Sequence, residues 1–304
     1  MYDFLIIGTG TSGLSAAMYA SRLNLKTLVL GTMPGGLITT THVVENWPGT
    51  PSISGPDLGM ALLDHAKKSG AEIKYETVTK VSKSENGGYV AETASGKYEG
   101  KSVLFATGTH HKTLTAPGIK EFENKGVSYC ALCDGAFYKG KNVCIVGGGD
   151  SAAKEAIFLA QVAAKVYIIV RKDILRAEPR NQELIDSSKN IEIKFNSEIA
   201  EVLPDESGKK VGKVKFASGE ELPMDGIFLA IGHAAQTDLA KDLGVELNEK
   251  SEIKIDRHSQ TNLPGVFAAG DCADTEFKQA ITGSGEAVTA AYYAFKFVKN
   301  SAQI

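Results

Sequence analysis

No apolar run in this chain reaches the roughly 18 residues needed to cross a bilayer, so no membrane-spanning helix is expected. There is no block of basic residues either. Lys and Arg number 33 against 36 Asp and Glu, a formal net charge of −3. Nothing would neutralise a phosphate backbone, so nucleic acid is not an expected partner. The N-terminus lacks the basic region of a signal peptide: Asp3 stands in its place, and the apolar run that follows ends at Gly8. That segment reads as the first strand of a cytoplasmic protein. Cysteine is scarce, with only Cys130, Cys133, Cys144 and Cys272. A second Cys or His pair at zinc-ligand spacing is missing, which counts against a structural zinc site. With 43% hydrophobic and 23% charged residues among 304, the composition is that of a globular protein, and disorder and collagen-like structure are excluded. At about 150 residues per domain the length suggests two domains.

Glycine is abundant, 32 residues, against an average near 7%. Much of it falls in two strand–loop–helix units. Phe4 to Gly8 leads into Gly8-Thr9-Gly10-Thr11-Ser12-Gly13, an alanine-rich stretch and a strand from Thr27 to Gly31. Asn142 to Gly149 leads into Asp150-Ser151-Ala152, a second helical stretch and a strand from Lys165 to Lys172. Two βαβ units predict two dinucleotide sites on doubly wound α/β folds. Each unit is followed by short alternating strands with Asn-Gly and Ser-Gly turns, over 73–104 and again over 198–230, and by a closing strand, Val103 to Gly108 and Ile227 to Gly232. This is an internal repeat of nucleotide-binding modules, each with a small antiparallel β piece. The tail offers one more strand, Gly265 to Asp271, and one helix, too little to fold alone. It is expected to return to the first domain. Residues 1–112 and 243–304 then form a discontinuous first domain, and 113–242 an inserted second one, with hinges near 113 and 242.

In the first loop, Gly8 permits the turn, Gly10 lets backbone approach a pyrophosphate, and Gly13 lets helix pack on strand. The acid expected at the end of the second strand to hold a ribose is absent; Leu30 and Gly31 stand there. In the second loop Gly147 and Gly149 take the first two glycine roles and Ala152 the third. Arg171 and Lys172 follow the second strand, with Arg176 beyond them. A basic cluster there suits a 2′-phosphate, which points to NADPH rather than NADH. Asp173 beside the cluster works against it, and a solvated basic turn is the plainer alternative.

Cys130-Ala131-Leu132-Cys133 is followed by Asp134. Two intervening residues let both sulfurs share one turn, and such pairs often contain a thiol of lowered pKa. Thiol–disulfide exchange needs a thiolate and then a proton for the leaving sulfur, which Asp134 is placed to supply. Two buried, reduced cysteines are the competing reading. Cys144 lies inside an apolar strand and reads as core; Cys272 has no assigned role.

Cys130-Ala-Leu-Cys-Asp-Gly, taken with the two glycine loops, Gly35-Gly36-Leu37, Glu45-Asn-Trp-Pro-Gly and Ala268-Ala-Gly-Asp271 followed by Gln279-Ala280, closely resembles low-molecular-weight, bacterial-type thioredoxin reductase. The match runs end to end in the right order. That resemblance implies a homodimeric, cytoplasmic flavoprotein passing electrons from NADPH to FAD, to the cysteine pair and on to thioredoxin. It implies that Gly8, Gly10, Thr11, Ser12 and Gly13 hold the FAD pyrophosphate. Gly35, Gly36, Leu37, Thr40 and Asn46 would line the adenosine-to-flavin path, with Thr107 and Gly108 at the closing strand. Gly270 and Asp271 would meet the ribityl chain, and Gln279 and Ala280 the flavin ring. Gly147, Gly149, Asp150, Ser151, Ala152, Arg171, Lys172 and Arg176 would hold NADPH. Cys133 would be nearest the flavin, Cys130 would exchange with thioredoxin, and Asp134 would be the acid/base. The inserted domain would rotate between two states.

The chain departs from the family pattern at Leu37-Ile38, where a side-chain amide is usual, and at Val170, where a histidine precedes the cations. A related reductase with another donor such as ferredoxin is therefore a second reading. A ferredoxin- or flavodoxin-NADP reductase would lack the cysteine pair, and a dithiol oxidase would tend to carry histidine in place of Asp134. A flavin-bound redox sensor without turnover is the reading from a different class.

Overall fold

The computed structural model describes residues 1–41, 43–85 and 87–301, and all their side chains except those of Leu132, Cys133 and Ser301. The chain forms two compact units, Met1–His110 with Ala235–Ile304, and His111–Ala234.

The first unit opens with β1 (Tyr2–Ile7), α1 (Thr11–Arg22) and β2 (Thr27–Leu30). Helix α2 (Gly55–Lys68) and β3 (Glu72–Lys74) follow, then β4 (Val78–Lys83), β5 (Tyr89–Thr93) and β6 (Gly96–Phe105). Strands β3, β2 and β1 run parallel, and the second half of β6 joins β1. The first half of β6 pairs antiparallel with β5, and β5 with β4. The hairpin reading of 73–104 therefore needs one correction: β3, at its start, is a parallel strand beside β2, because Leu28 to Leu30 are buried and offer it an edge.

Alternation along β1 explains the layers. Phe4 and Ile6 face α1 and the C-terminal helix; Leu5 and Ile7 face the other way, toward Leu28, Leu30 and Ile253. Helix α1 approaches closely because Ala16, Ala17 and Ala20 carry no bulk, and all three are fully buried. It ends where Asn24 turns left-handed (φ 59°) and the Leu25 N–H returns to the Ala20 carbonyl. Helix α2 begins at a Ser54 cap, whose hydroxyl accepts the Asp57 N–H at 3.1 Å.

The second unit repeats the plan. Its sheet holds β8 (Val127–Ser128), β9 (Asn142–Val146), β10 (Lys165–Ile169), β11 (Ile191–Lys194) and β15 (Gly226–Leu229), in the parallel order β11-β10-β9-β15-β8. Helices α3 (Ala131–Asp134), α4 (Asp150–Ala160) and α5 (Pro179–Ser187) accompany it. A separate antiparallel sheet is built from β12 (Ile199–Pro204), β13 (Val211–Phe216) and β14 (Glu221–Pro223).

At the two crossings, β7 (Thr109–His111) and β16 (His233–Ala235) pair as a two-stranded sheet. The second crossing comes earlier than residue 242, because Gln236 is already tied to the first unit. Its N–H donates to the Gly108 carbonyl and its side chain to that of Thr109, both at 2.9 Å. Then follow α6 (Asp238–Leu243), β17 (Val266–Ala268) and α7 (Ala280–Ser301). Strand β17 adds parallel to β6, and Phe267 meets Phe4 edge-on at 6.2 Å. Helix α7 packs on the sheet through Ala287, Ala290, Ala291 and Ala294, all fully buried. No described helix is long and apolar enough to cross a membrane.

Candidate active site

The β1–α1 turn is built on glycine for steric reasons. Gly8 has φ +119°, and a Cβ there would overlap the Ala106 carbonyl oxygen; at Gly13 it would overlap the Gly8 carbonyl oxygen. Gly10 is different: a Cβ would find nothing nearer than the Gly36 Cα at 3.9 Å. The chain does not crowd this position, and one side of the loop is left for something else to approach. Helix α1 starts at Gly10 with no side-chain cap and no acid in its first turn. Its first N–H groups and its positive end are not claimed by any described side chain. The Ser12 side chain packs against backbone instead, where a Cβ at Gly283 would come within 2.6 Å of its hydroxyl.

The Gly35-Gly36 turn lies against this loop. The Gly35 N–H donates to the Thr9 carbonyl at 2.8 Å, and a Cβ on Gly36 would sit 2.8 Å from the Gly10 Cα. Residues Gly36–Thr40 form one 3-10 turn that contains Leu37. The Thr40 hydroxyl is used inside it, donating to the Leu37 carbonyl at 2.8 Å. Asn46 reaches much further: its Nδ2 donates to Gln279 Oε1 at 3.0 Å. Gln279 immediately precedes Ala280, the first residue of α7. Thr107 donates from its hydroxyl to the Gln236 carbonyl at 2.5 Å, beside Gly108.

The Gly270-Asp271 loop is held by groups that spacing did not disclose. Glu286 on α7 accepts the Gly270 N–H at 2.9 Å and bonds the Thr275 hydroxyl. Lys278 donates to the carbonyls of Asp271 (2.9 Å) and Ala273 (2.7 Å) and pairs with Glu252 at 3.0 Å. Cys272 is fully buried in the core, where its thiol donates to the Phe105 and Ala269 carbonyls, both at 3.4 Å. Burial pushes this thiol up in pKa, as it does the buried Cys144 thiol. Both are free, unreactive core cysteines.

In the second unit the β9–α4 turn repeats the device. A Cβ at Gly147 would overlap the Ala230 carbonyl oxygen and come within 2.9 Å of the buried Ala152 Cβ, whereas at Gly149 it would meet nothing within 4 Å. Gly149 heads α4 without a side-chain cap. Asp150 and Ser151 follow in the first turn, and Ser151 is exposed. The Asp150 carboxylate is taken up by neighbouring groups. It accepts the Glu178 N–H at 3.0 Å and the Asn181 amide at 2.7 Å, and pairs with Lys154 at 2.7 Å. Its burial acts to raise the carboxyl's pKa, but Lys154, the Glu178 N–H and Asn181 together bring it below the usual range. Arg176 lies beside the loop, its N–H donating to the Gly148 carbonyl at 2.8 Å. The side chains of Arg171, Lys172 and Arg176 are exposed, and none enters an ion pair among the described residues. Open glycine turns at uncapped helix starts fit the pyrophosphates of two dinucleotides, and uncommitted cations beside the second fit a further phosphate.

Cys130 is held in a disulfide. It follows β8, and its N–H donates to the Ser128 hydroxyl at 3.1 Å. The side chain of Cys133 lies outside the described residues; its backbone is part of α3. Asp134 closes that turn, its N–H donating to the Cys130 carbonyl at 3.2 Å. The Asp134 carboxylate also acts on Tyr138, whose hydroxyl is raised in pKa by burial first and then by Asp134 and Asp225. A cysteine in a disulfide, a carboxylate one turn on and a nucleotide loop thus belong to one unit. No cluster of three metal-ligating side chains occurs among the described residues.

Glu155 on α4 was not singled out by any motif. Burial pushes its carboxyl up to about 7, an effect the Ala131 backbone N–H partly offsets.

Comparison with known proteins agrees with this geometry. The family profile of pyridine nucleotide-disulphide oxidoreductases matches residues 2–290. The thioredoxin reductase of Listeria innocua is 40% identical over 306 aligned residues, covering 98% of this chain and 94% of that protein. Among solved structures, Lactococcus lactis thioredoxin reductase superposes with a TM-score of 0.91 at 36% identity, covering 99% of this chain and all of the other. The thioredoxin reductase of T. acidophilum gives 0.88 at 36% identity over 97% of this chain and 98% of its own. With two glycine-loop units, a disulfide-held Cys130 and full-length similarity to these proteins, the chain belongs to the pyridine nucleotide-disulphide oxidoreductase family and, within it, to the thioredoxin reductases.

Proposed function

We propose that this chain is a flavoprotein that takes electrons from NADPH and delivers them through FAD and the Cys130–Cys133 pair to the disulfide of thioredoxin. The observation that carries this reading is Cys130 in a disulfide within a unit that also holds the open Gly147–Gly149 turn. The other unit supplies the second open turn, at Gly8–Gly13.

FAD, when bound, accepts a hydride from NADPH and supplies two electrons to a disulfide. The N–H groups at the start of α1 would hold its pyrophosphate. Asn46, Gln279 and Asp271 would orient the rest of the molecule. The start of α4 would hold the NADPH pyrophosphate, and Arg171, Lys172 and Arg176 its 2′-phosphate.

The exchange itself uses this chain's sulfurs. In the reduced pair the Cys130 thiolate attacks one sulfur of the thioredoxin disulfide, forming a mixed disulfide and releasing the other thioredoxin sulfur as a thiolate. Asp134 delivers the proton to that leaving sulfur. The Cys133 thiolate then attacks Cys130, restoring the Cys130–Cys133 disulfide and freeing thioredoxin as its dithiol. Two electrons leave the pair and two reach thioredoxin, so the cycle closes once NADPH has reduced the pair again.

A homodimer in the cytoplasm is part of the same proposal, carried by membership of the family. The test is anaerobic titration of the purified protein with NADPH, followed by oxidised thioredoxin, with visible absorbance as the readout. Bleaching by NADPH and recovery with thioredoxin is the expected result. Bleaching by dithionite but not by NADPH would overturn the donor assignment and favour a reductant such as ferredoxin. Bleaching by NADPH with no response to thioredoxin would overturn the acceptor.

A further inference from the structure

We propose that Asp150 is a positioning residue for donor selection: it ties the far end of the basic segment 171–178 to the glycine loop at the head of α4, and so sets the preference for NADPH over NADH. The inference rests on reading that loop, with Arg171, Lys172 and Arg176, as the NADPH site.

An acid is unexpected at this point. Asp150 directly follows Gly149, which heads α4, at the end of the helix where a pyrophosphate would bind. A carboxylate there suits the helix dipole but repels a bound phosphate. Its two oxygens are divided between two tasks. Oδ2 pairs with Lys154 at 2.7 Å, one turn along α4. Oδ1 accepts two hydrogen bonds, from the Glu178 N–H at 3.0 Å and from the Asn181 side-chain amide at 2.7 Å. Glu178 immediately precedes α5, and Asn181 lies in its first turn. The charge is therefore offset within α4, while one oxygen joins the start of α4 to the start of α5.

The basic segment runs up to that junction. Its beginning is tied to the strand side: the Val170 N–H donates to the Lys194 carbonyl at 2.9 Å, and the Asn196 N–H to the Lys172 carbonyl at 3.1 Å. In its middle Leu175 is buried in the core of the unit, and the Arg176 N–H donates to the Gly148 carbonyl at 2.8 Å. Beyond Arg176, the described hydrogen bonds that tie residues 177–181 to another element are the two to Asp150. The Lys154–Glu178 ion pair, at 3.9 Å, is a weaker link between exposed side chains. The direction in which the chain leaves Arg176 is thus set at Glu178 by the Asp150 carboxylate.

NADPH and NADH differ by the 2′-phosphate alone. The glycine loop acts on the pyrophosphate that both carry, and the cations act on the phosphate that one carries. A guanidinium meets a phosphate with two bonds only if its backbone holds it in place. Loosening the segment therefore costs NADPH and spares NADH. Removing the charge of Asp150 alone relieves a repulsion that both donors feel.

The test is calorimetric titration of the FAD-loaded, oxidised protein with NADP+ and with NAD+, and the ratio of the two dissociation constants is the readout. Asp150→Ala removes both bonds to the α5 side and is expected to lower the preference for NADP+ by at least about threefold, as for a charge-assisted contact weakened rather than lost. Asp150→Asn keeps Oδ1 for both bonds and gives up the Lys154 pair, so its preference is expected to stay within about twofold of wild type. A smaller change in Asp150→Ala, or an equal fall in Asp150→Asn, would overturn the proposal; the second result would assign the effect to charge. A general loss of structure would weaken both nucleotides alike and leave the ratio unmoved. If Asp150→Ala does not fold, Asn181→Ala decides by the same criterion, since it removes one of the two bonds and leaves the glycine loop intact. If wild-type protein binds NADP+ no better than NAD+, the reading of the basic segment itself fails, an outcome distinct from an unchanged ratio.

Discussion

The side-chain amide of Asn46 donates to that of Gln279 at 3.0 Å, joining the loop after β2 to the first turn of α7 across 233 residues of chain. The bond is exposed to solvent, so it contributes little to folding by itself. On the proposed function, it would set two segments of the FAD site in one arrangement before the cofactor binds. Asn46→Ala and Gln279→Ala are each expected to weaken FAD binding by about threefold to tenfold, the worth of one hydrogen bond, with little change in melting temperature. Equilibrium dialysis with FAD measures this. Unchanged affinity in both variants would remove these residues from the site.

Two glycines, one from each of the two loops, should behave differently. Gly8→Ala places a Cβ on the Ala106 carbonyl oxygen at φ +119°, and is expected to cost at least about 1–3 kcal/mol of stability. Gly149→Ala meets nothing within 4 Å, so the protein should fold normally while its Michaelis constant for NADPH rises. Thermal melts and steady-state kinetics on the pair separate the two effects. A stable Gly8→Ala protein with normal FAD content would contradict the steric account.

Cation identity should show as a difference between two donors. Arg171 is exposed and outside any described ion pair. Arg171→Ala is expected to raise the NADPH Michaelis constant roughly tenfold, as for loss of a charge-assisted contact, and to leave that for NADH unchanged. Equal effects on both donors would mean that the 2′-phosphate is not read at this position.

Cys133→Ser should abolish thioredoxin reduction while FAD stays bound. NADPH should still bleach the flavin, since hydride acceptance does not use the sulfur. Stopped-flow absorbance separates the two halves of the reaction. Thioredoxin turnover surviving in this variant would sink the assignment of the pair.

Glu155 also predicts a pH dependence of stability. Its folded pKa, about 7, is raised from 4.5, so between these values the folded protein keeps a proton that the unfolded chain has lost. Stability contributed by the protonated carboxyl is present at low pH and is lost as pH rises through that window. At about pH 8 Glu155→Gln should be more stable than wild type, by on the order of 2–3 kcal/mol, with the advantage gone near pH 4. Melting curves at the two pH values check the sign; greater wild-type stability at the higher pH would refute it.

Much of the fold was legible because its signals are local. The turns at Gly8–Gly13 and Gly147–Ala152 announce themselves by glycine spacing after an apolar strand, and the structure shows the steric reasons at Gly8, Gly13 and Gly147. The return of β17 to the first sheet could be inferred because one strand and one helix cannot fold alone. The place of the second crossing could not, since it depends on Gln236 bonding Gly108 and Thr109. Cys272 gave no clear signal, because whether a cysteine is core or reactive depends on which elements enclose it.

The sequence by itself determined the chemistry on offer: two nucleotide loops, one Cys-x-x-Cys-Asp, a basic turn after β10, and no span for a membrane helix. These depend on residue type and short spacing, which fix backbone sterics within a turn. Only the tertiary structure decided that Asn46 meets Gln279 and that Glu286 and Lys278 hold the Gly270-Asp271 loop. Such partners are brought together by packing of helices on sheets, and their pairing is set by which faces are buried rather than by any distance along the chain.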